Sequence, residues 1–159
     1  MTATPLERLI VKPAERRREV LRLIQAAHRR LWLSLFRCDD AAVLEAVAAA
    51  VRRGASVRVV MTGRAKGARR ELERVDALLR RCGAEVRRYR DEAKHHAKYI
   101  VADDRALVGS LNYTRKCFVD TCDFMVVTDD RAVVAGLTEL LAPTGPAAAS
   151  MTGSRWATA

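Results

Sequence analysis

The chain has 159 residues, half of them apolar, and 29 Lys and Arg against 19 Asp and Glu give it a formal net charge of +10. That length holds one ordinary domain with a real core, and charged residues interrupt every apolar stretch before it reaches membrane-spanning length. The opening MTATPLERLIVKPAERRR lacks the apolar segment and cleavage site of a secretory signal, so a soluble, cytoplasmic protein is expected.

Helical and strand patterns alternate along the chain. From about Ala14 to Arg30, Val20, Leu23, Ile24, Ala27 and Leu31 keep helical spacing, and His28 near the end of this helix reads as structural. Leu31 to Phe36 reads as a buried strand. Asp39 and Asp40 are natural caps for a second helix with Val43, Leu44, Val47 and Val51 on one face, ended by Gly54. Ser56 to Met61 alternates as a strand. A charged helix follows from about Ala68 to Arg81, with Leu72, Val75, Leu79 and Cys82 on one stripe; Gly83 stops it, and Ala84 to Tyr89 is another strand.

Beyond His96 the apolar runs shorten to Tyr99–Ala102, Ala106–Val108 and Phe124–Val127, with a tight turn at Asp103-Asp104-Arg105. A last helix carries Val133, Val134, Leu137, Leu140 and Leu141. This order predicts an α/β layered domain over residues 1–142, a mixed central sheet flanked by helices. Residues 143–159, rich in Pro, Gly, Ala and Ser, read as a disordered tail or an interrupted linker. The four cysteines form no CxxC pair and are expected to be reduced structural thiols, not zinc ligands.

The densest chemistry lies in His96-Ala97-Lys98-Tyr99-Ile100-Val101-Ala102-Asp103 and Gly109-Ser110-Leu111-Asn112. Asn112 is the chain's only Asn and Lys98 one of five Lys, so these identities stand out from the composition. His96, Lys98 and Asp103 match the pattern H-x-K-x4-D, and Gly109 to Asn112 match G-S-x-N. In these motifs the chain resembles the phospholipase D superfamily, in its form with one motif per chain. Less specifically, the resemblance extends over about residues 14–142. Asp123 falls where the family carries an acid, usually Glu, and five residues separate Asp103 from Gly109 where six are usual.

The residue types suit phosphodiester chemistry. A neutral imidazole can attack where an anion would be repelled, forming a phosphohistidine that water resolves. Lys98, two residues from His96 along an extended chain, projects to the same side and can hold a phosphoryl oxygen. Ser110 and Asn112 share that relation and can donate to the same oxygens. Asp103 or Asp123 would orient the imidazole; in the family that task generally falls to the acid near 123. The resemblance implies an enzyme needing neither metal nor cofactor.

It also implies a second histidine as general acid, which the family supplies by a second repeat or by a two-fold homodimer. A homodimer with one composite site is expected here, the competing reading being an orphan half of a two-repeat protein. The favoured function is a phosphodiesterase of low sequence specificity acting on nucleic acid. Alternatives are hydrolysis of phospholipid headgroups and a non-catalytic nucleic-acid-binding module. The basic stretch around Arg64, Lys66 and Arg69, with Arg115 and Lys116, is a candidate substrate contact.

Overall fold

Seven strands in the order β1-β7-β6-β5-β2-β3-β4 form one mixed sheet in the computed structural model, which describes residues 6–63, 67–89 and 95–141. The strands are β1 (Glu7–Ile10), β2 (Arg30–Leu35), β3 (Ser56–Thr62), β4 (Glu85–Tyr89), β5 (Tyr99–Ala102), β6 (Arg105–Gly109) and β7 (Met125–Thr128). β2, β3 and β4 run parallel, and every other pairing is antiparallel. The helices are α1 (Pro13–Gln25), α2 (Ala41–Arg52), α3 (Arg69–Arg81), α4 (Arg115–Val119) and α5 (Arg131–Leu141).

Period-two alternation divides the side chains between two cores. Leu31, Leu33, Leu35, Ile100 and Leu107 join Ile24, Val47, Leu79 and Phe118 from α1 to α4 in the larger one. Tyr99, Val101 and Ala106 turn the other way and pack with Val134 and Leu141 of α5. The mixed sheet between helices is therefore the predicted architecture, and both sheet faces are buried where β5 crosses the middle.

α1 is shorter than its periodicity predicts. It stops at Gln25 because the Asp103 carboxylate takes the backbone N–H groups of His28, Arg29 and Arg30, each at 2.9 Å, and turns the chain into β2. His28 thus lies in a bend after α1, not within a helix. The Arg53 guanidinium donates to the Ile24 and Ala27 carbonyls just where the helix ends.

Of the two predicted caps, Asp40 does the capping: it accepts from Ala42 and Val43 N–H at 3.0 and 3.1 Å. Asp39 instead accepts from Arg115 N–H at 2.8 Å. β1 and α4 had no periodic signal, being four and five residues long. The predicted tail of residues 143–159 lies outside the described residues. No helix among the described residues is long and apolar enough to cross a membrane.

Candidate active site

The segment carrying His96 and Lys98 extends β5 past Tyr99. Gly109 N–H donates to the Lys98 carbonyl at 3.3 Å, which sets the end of β6 beside it. Gly109 faces Met125 on β7, and a Cβ there would lie 2.5 Å from the Phe124 carbonyl oxygen. The glycine of G-S-x-N therefore permits the close approach that brings β7, and Asp123 before it, against Ser110.

Lys98 is 8% exposed, whereas His96 lies open to solvent. The Lys98 ammonium sits 2.8 and 3.0 Å from the Nδ1 and Nε2 atoms of His96 and donates to the His96 carbonyl at 2.7 Å. Phe36, just beyond β2, meets the imidazole edge-on with ring centroids 4.6 Å apart, and the ammonium lies 5.2 Å from the Phe36 centroid. Desolvation and the neighbouring ammonium both hold His96 below the ordinary histidine pKa, favouring the neutral, nucleophilic ring. Burial lowers the Lys98 pKa, with the Asp123 charge opposing it.

Asp123 accepts from Ser110 Oγ at 2.6 Å and from the Thr121 hydroxyl, and Ser110 Oγ accepts from Phe124 N–H at 3.2 Å. No hydrogen bond joins Asp123 or Asp103 to His96 among the described residues, so Lys98 and Phe36 are the groups that hold the imidazole. Asn112 is half-buried, and its Oδ1 has no partner among the described residues. Its neighbour Tyr113 donates its N–H to the Arg37 carbonyl at 3.1 Å, tying this loop to the end of β2.

Asp103 stands apart. It begins the turn after β5, five extended residues or about 17 Å from Lys98, and its carboxylate is spent on the three amides that start β2. Its φ of 52° is one that Asp tolerates. The H-x-K-x4-D motif thus spans both ends of one strand, with its aspartate at the structural end.

Several contributors carried no sequence signal. Arg16 on α1 is 2% exposed and donates to the carbonyls of Val11, Cys117, Thr121 and Asp123 at 2.6–3.1 Å, gathering the loop before β7. The Ser34 hydroxyl, fully buried on β2, donates to the Ala97 carbonyl at 2.9 Å and lies 2.7 Å from His95 Nε2. Burial, then the charges of Lys98 and His96, push His95 down to about 4, so it is neutral at pH 7. An arginine and a serine inside ordinary periodic segments cannot be told from surface residues without the fold.

Among the candidate substrate contacts, Arg115 and Lys116 are exposed at the start of α4, which Thr114 caps. Arg69 is exposed but paired with Glu73 at 2.9 Å. Arg64 and Lys66 lie outside the described residues. All four cysteines are free thiols, Cys38 being buried and its thiol pushed up by burial.

The family model described as "Cardiolipin synthase, PLD-like domain" matches residues 20–142, which include every one of these site residues from His96 to Asp123. The chain belongs to the phospholipase D superfamily. Cardiolipin synthase A of Pseudomonas aeruginosa is 33% identical over 124 residues, covering 75% of this chain. The mitochondrial cardiolipin hydrolase of Homo sapiens is 31% identical over 119 residues, 70% of this chain and 43% of that protein. The chain spans about a quarter of the bacterial relative's length. Among solved structures, the phospholipase D family member Nuc from Salmonella typhimurium has the same fold, with a TM-score of 0.78 at 21% identity over 86% of this chain and 91% of that one.

Proposed function

We propose that this phospholipase D-like domain is a phosphodiesterase in which His96 is the nucleophile and two copies of the chain complete one catalytic centre. The observation that carries the reading is the exposed His96 imidazole, its pKa lowered, held against a largely buried Lys98 ammonium. In the first step the His96 ring nitrogen bonds to phosphorus and the P–O bond to the leaving alkoxide breaks, that oxygen taking a proton from His96 of the second copy, which the bound phosphodiester anion holds in its imidazolium form. In the second step that histidine, now neutral, removes a proton from water, whose oxygen bonds to phosphorus as the P–N bond to the first His96 breaks. Lys98 neutralises the phosphoryl oxygens throughout, Asn112 donates to them through its amide N–H, and Ser110 does so when its hydroxyl turns from Asp123.

A second copy is needed because the remaining histidines are elsewhere. His28 is at the Asp103 end of the sheet, and His95 is engaged with Ser34 and too weakly basic to carry a proton at pH 7. A longer protein supplying a second repeat is the competing arrangement.

Nucleic acid is the favoured substrate class, supported by the net charge of +10 and the exposed Arg115 and Lys116, which have no ion pair among the described residues. Headgroup hydrolysis is the second reading. It is favoured by the exposed apolar Leu9, Val11 and Phe124, the last two flanking the Arg16 cluster that positions Asp123. The test is hydrolysis, in EDTA, of a labelled oligonucleotide and of phosphatidylglycerol vesicles by the wild type and His96→Asn. Oligonucleotide cleavage lost by about 10³-fold or more in the variant supports the proposal. Cleavage that survives His96→Asn removes the nucleophile, and headgroup release without strand cleavage reassigns the substrate.

A further inference from the structure

α3 carries more cationic charge than its own carboxylates neutralise. Its three acids are all engaged: Glu71 with Arg37, Glu73 with Arg69, and Asp76 with Arg80 and Arg88. Arg70, Arg74 and Arg81 remain exposed with no ion pair or side-chain hydrogen bond to another described residue. At 100° per residue these three fall within roughly 40° of one another, forming a line about 16 Å long. Ala77, also exposed, occupies the intervening position and leaves the line unobstructed.

The line begins at the catalytic end of the sheet. β3 runs parallel to β2, whose far end adjoins the His96 segment through Ser34 opposite Tyr99, and α3 returns from that end. Arg37, one residue beyond the Phe36 that packs on His96, holds Glu71 in the first turn of α3 at 2.9 Å. Arg74 and Arg81 also rim a groove of about 600 Å³ between α2 and α3, floored by Leu44, Val75 and Leu78. Two carboxylates line the same groove, but Asp39 accepts from Arg115 N–H and Glu45 is held by Arg52.

We propose that Arg70, Arg74 and Arg81 form a track for the phosphate backbone of a polynucleotide strand whose scissile bond lies at His96. This rests on the reading of the substrate as nucleic acid, and it adds where the strand continues. A bilayer fits this face poorly: among the described residues the exposed large apolar side chains are Leu6, Leu9, Val11, Val119, Phe124, Val133 and Leu140, none of them on α2 or α3. Charge without anything to insert suits a hydrated polyanion.

The test is the salt dependence of binding to a fluorescent single strand of about 30 nucleotides, each phosphate contact adding about 0.7 to the slope of log K against log salt. Binding is measured in the His96→Asn background so that the strand is not consumed. Arg70→Gln/Arg74→Gln/Arg81→Gln is expected to flatten the slope by about 2. Arg18→Gln/Arg105→Gln/Arg131→Gln removes the same charge from other faces and is expected to keep the slope. An unchanged slope in the α3 variant, or equal flattening in both, overturns the track. So does loss of binding to phosphatidylglycerol vesicles by the α3 variant with its strand binding intact. If the wild type cleaves the strand while the α3 variant keeps its slope, the track alone falls; if the wild type neither binds nor cleaves it, the nucleic-acid reading falls too.

Discussion

A histidine that must attack phosphorus has to be unprotonated, and its environment here works in that direction. Partial desolvation and the Lys98 ammonium lower the His96 pKa, so the acid limb of kcat/KM should lie below pH 6.5. Lys98→Met removes the cationic contribution: the limb should move up toward 6.5 while the maximal rate falls by about 10²-fold or more. A limb that stays in place would show that Lys98 does not set the imidazole's protonation. Asp103 makes the contrasting case. Burial pushes its carboxyl up, but the amides of His28, Arg30 and Arg29 outweigh this and hold it below the usual range. A depressed folded-state pKa gives stability that is present above the unfolded value near 3.9 and lost as pH falls through the folded one. Asp103→Asn should therefore cost about 1–3 kcal/mol in urea unfolding at pH 7, and this cost should shrink as the pH drops below about 4. The motif names His96, Lys98 and Asp103 together, yet only the first two share an end of the strand. A spacing of residues records that both ends matter without saying which end does chemistry.

At the scale of elements, the site depends on how closely β6 and β7 approach. Gly109→Ala would set a methyl 2.5 Å from the Phe124 carbonyl, against backbone that cannot yield as a side chain could. The expected cost is about 1–3 kcal/mol, with turnover falling further than stability because Asp123 is displaced from Ser110. Thermal melting beside turnover checks this, and an unperturbed variant would show that the approach is not required. Most elements were legible because period-two and helical patterns repeat within them: β2, β3, α2 and α3 begin and end within a few residues of their predicted limits. β1 and α4 were not legible, since four or five residues hold too little repetition and their stability comes from pairing with β7 and from packing of Phe118. The end of α1 was misread because Asp103, more than seventy residues away, captures the amides that would have continued it.

On the scale of the whole molecule, two features of the site point outward. One exposed His96 per chain leaves the leaving group without an acid, so a dimer is expected at low micromolar concentration by light scattering behind size exclusion. A stable monomer that still turns over would require the acid to come from within the chain. Composition shows a strong positive charge, but only the folded chain reveals that three arginines separated by up to eleven residues form one unpaired line on α3. The first of these rests on His96 acting as a covalent nucleophile. The most direct test is intact-protein mass spectrometry of enzyme quenched in alkali, where phosphohistidine survives, during turnover of a small chromogenic phosphodiester. A phosphoryl adduct located on His96, and absent from His96→Asn, is the predicted result. Turnover with no adduct, or an adduct that remains in the variant, would contradict the mechanism.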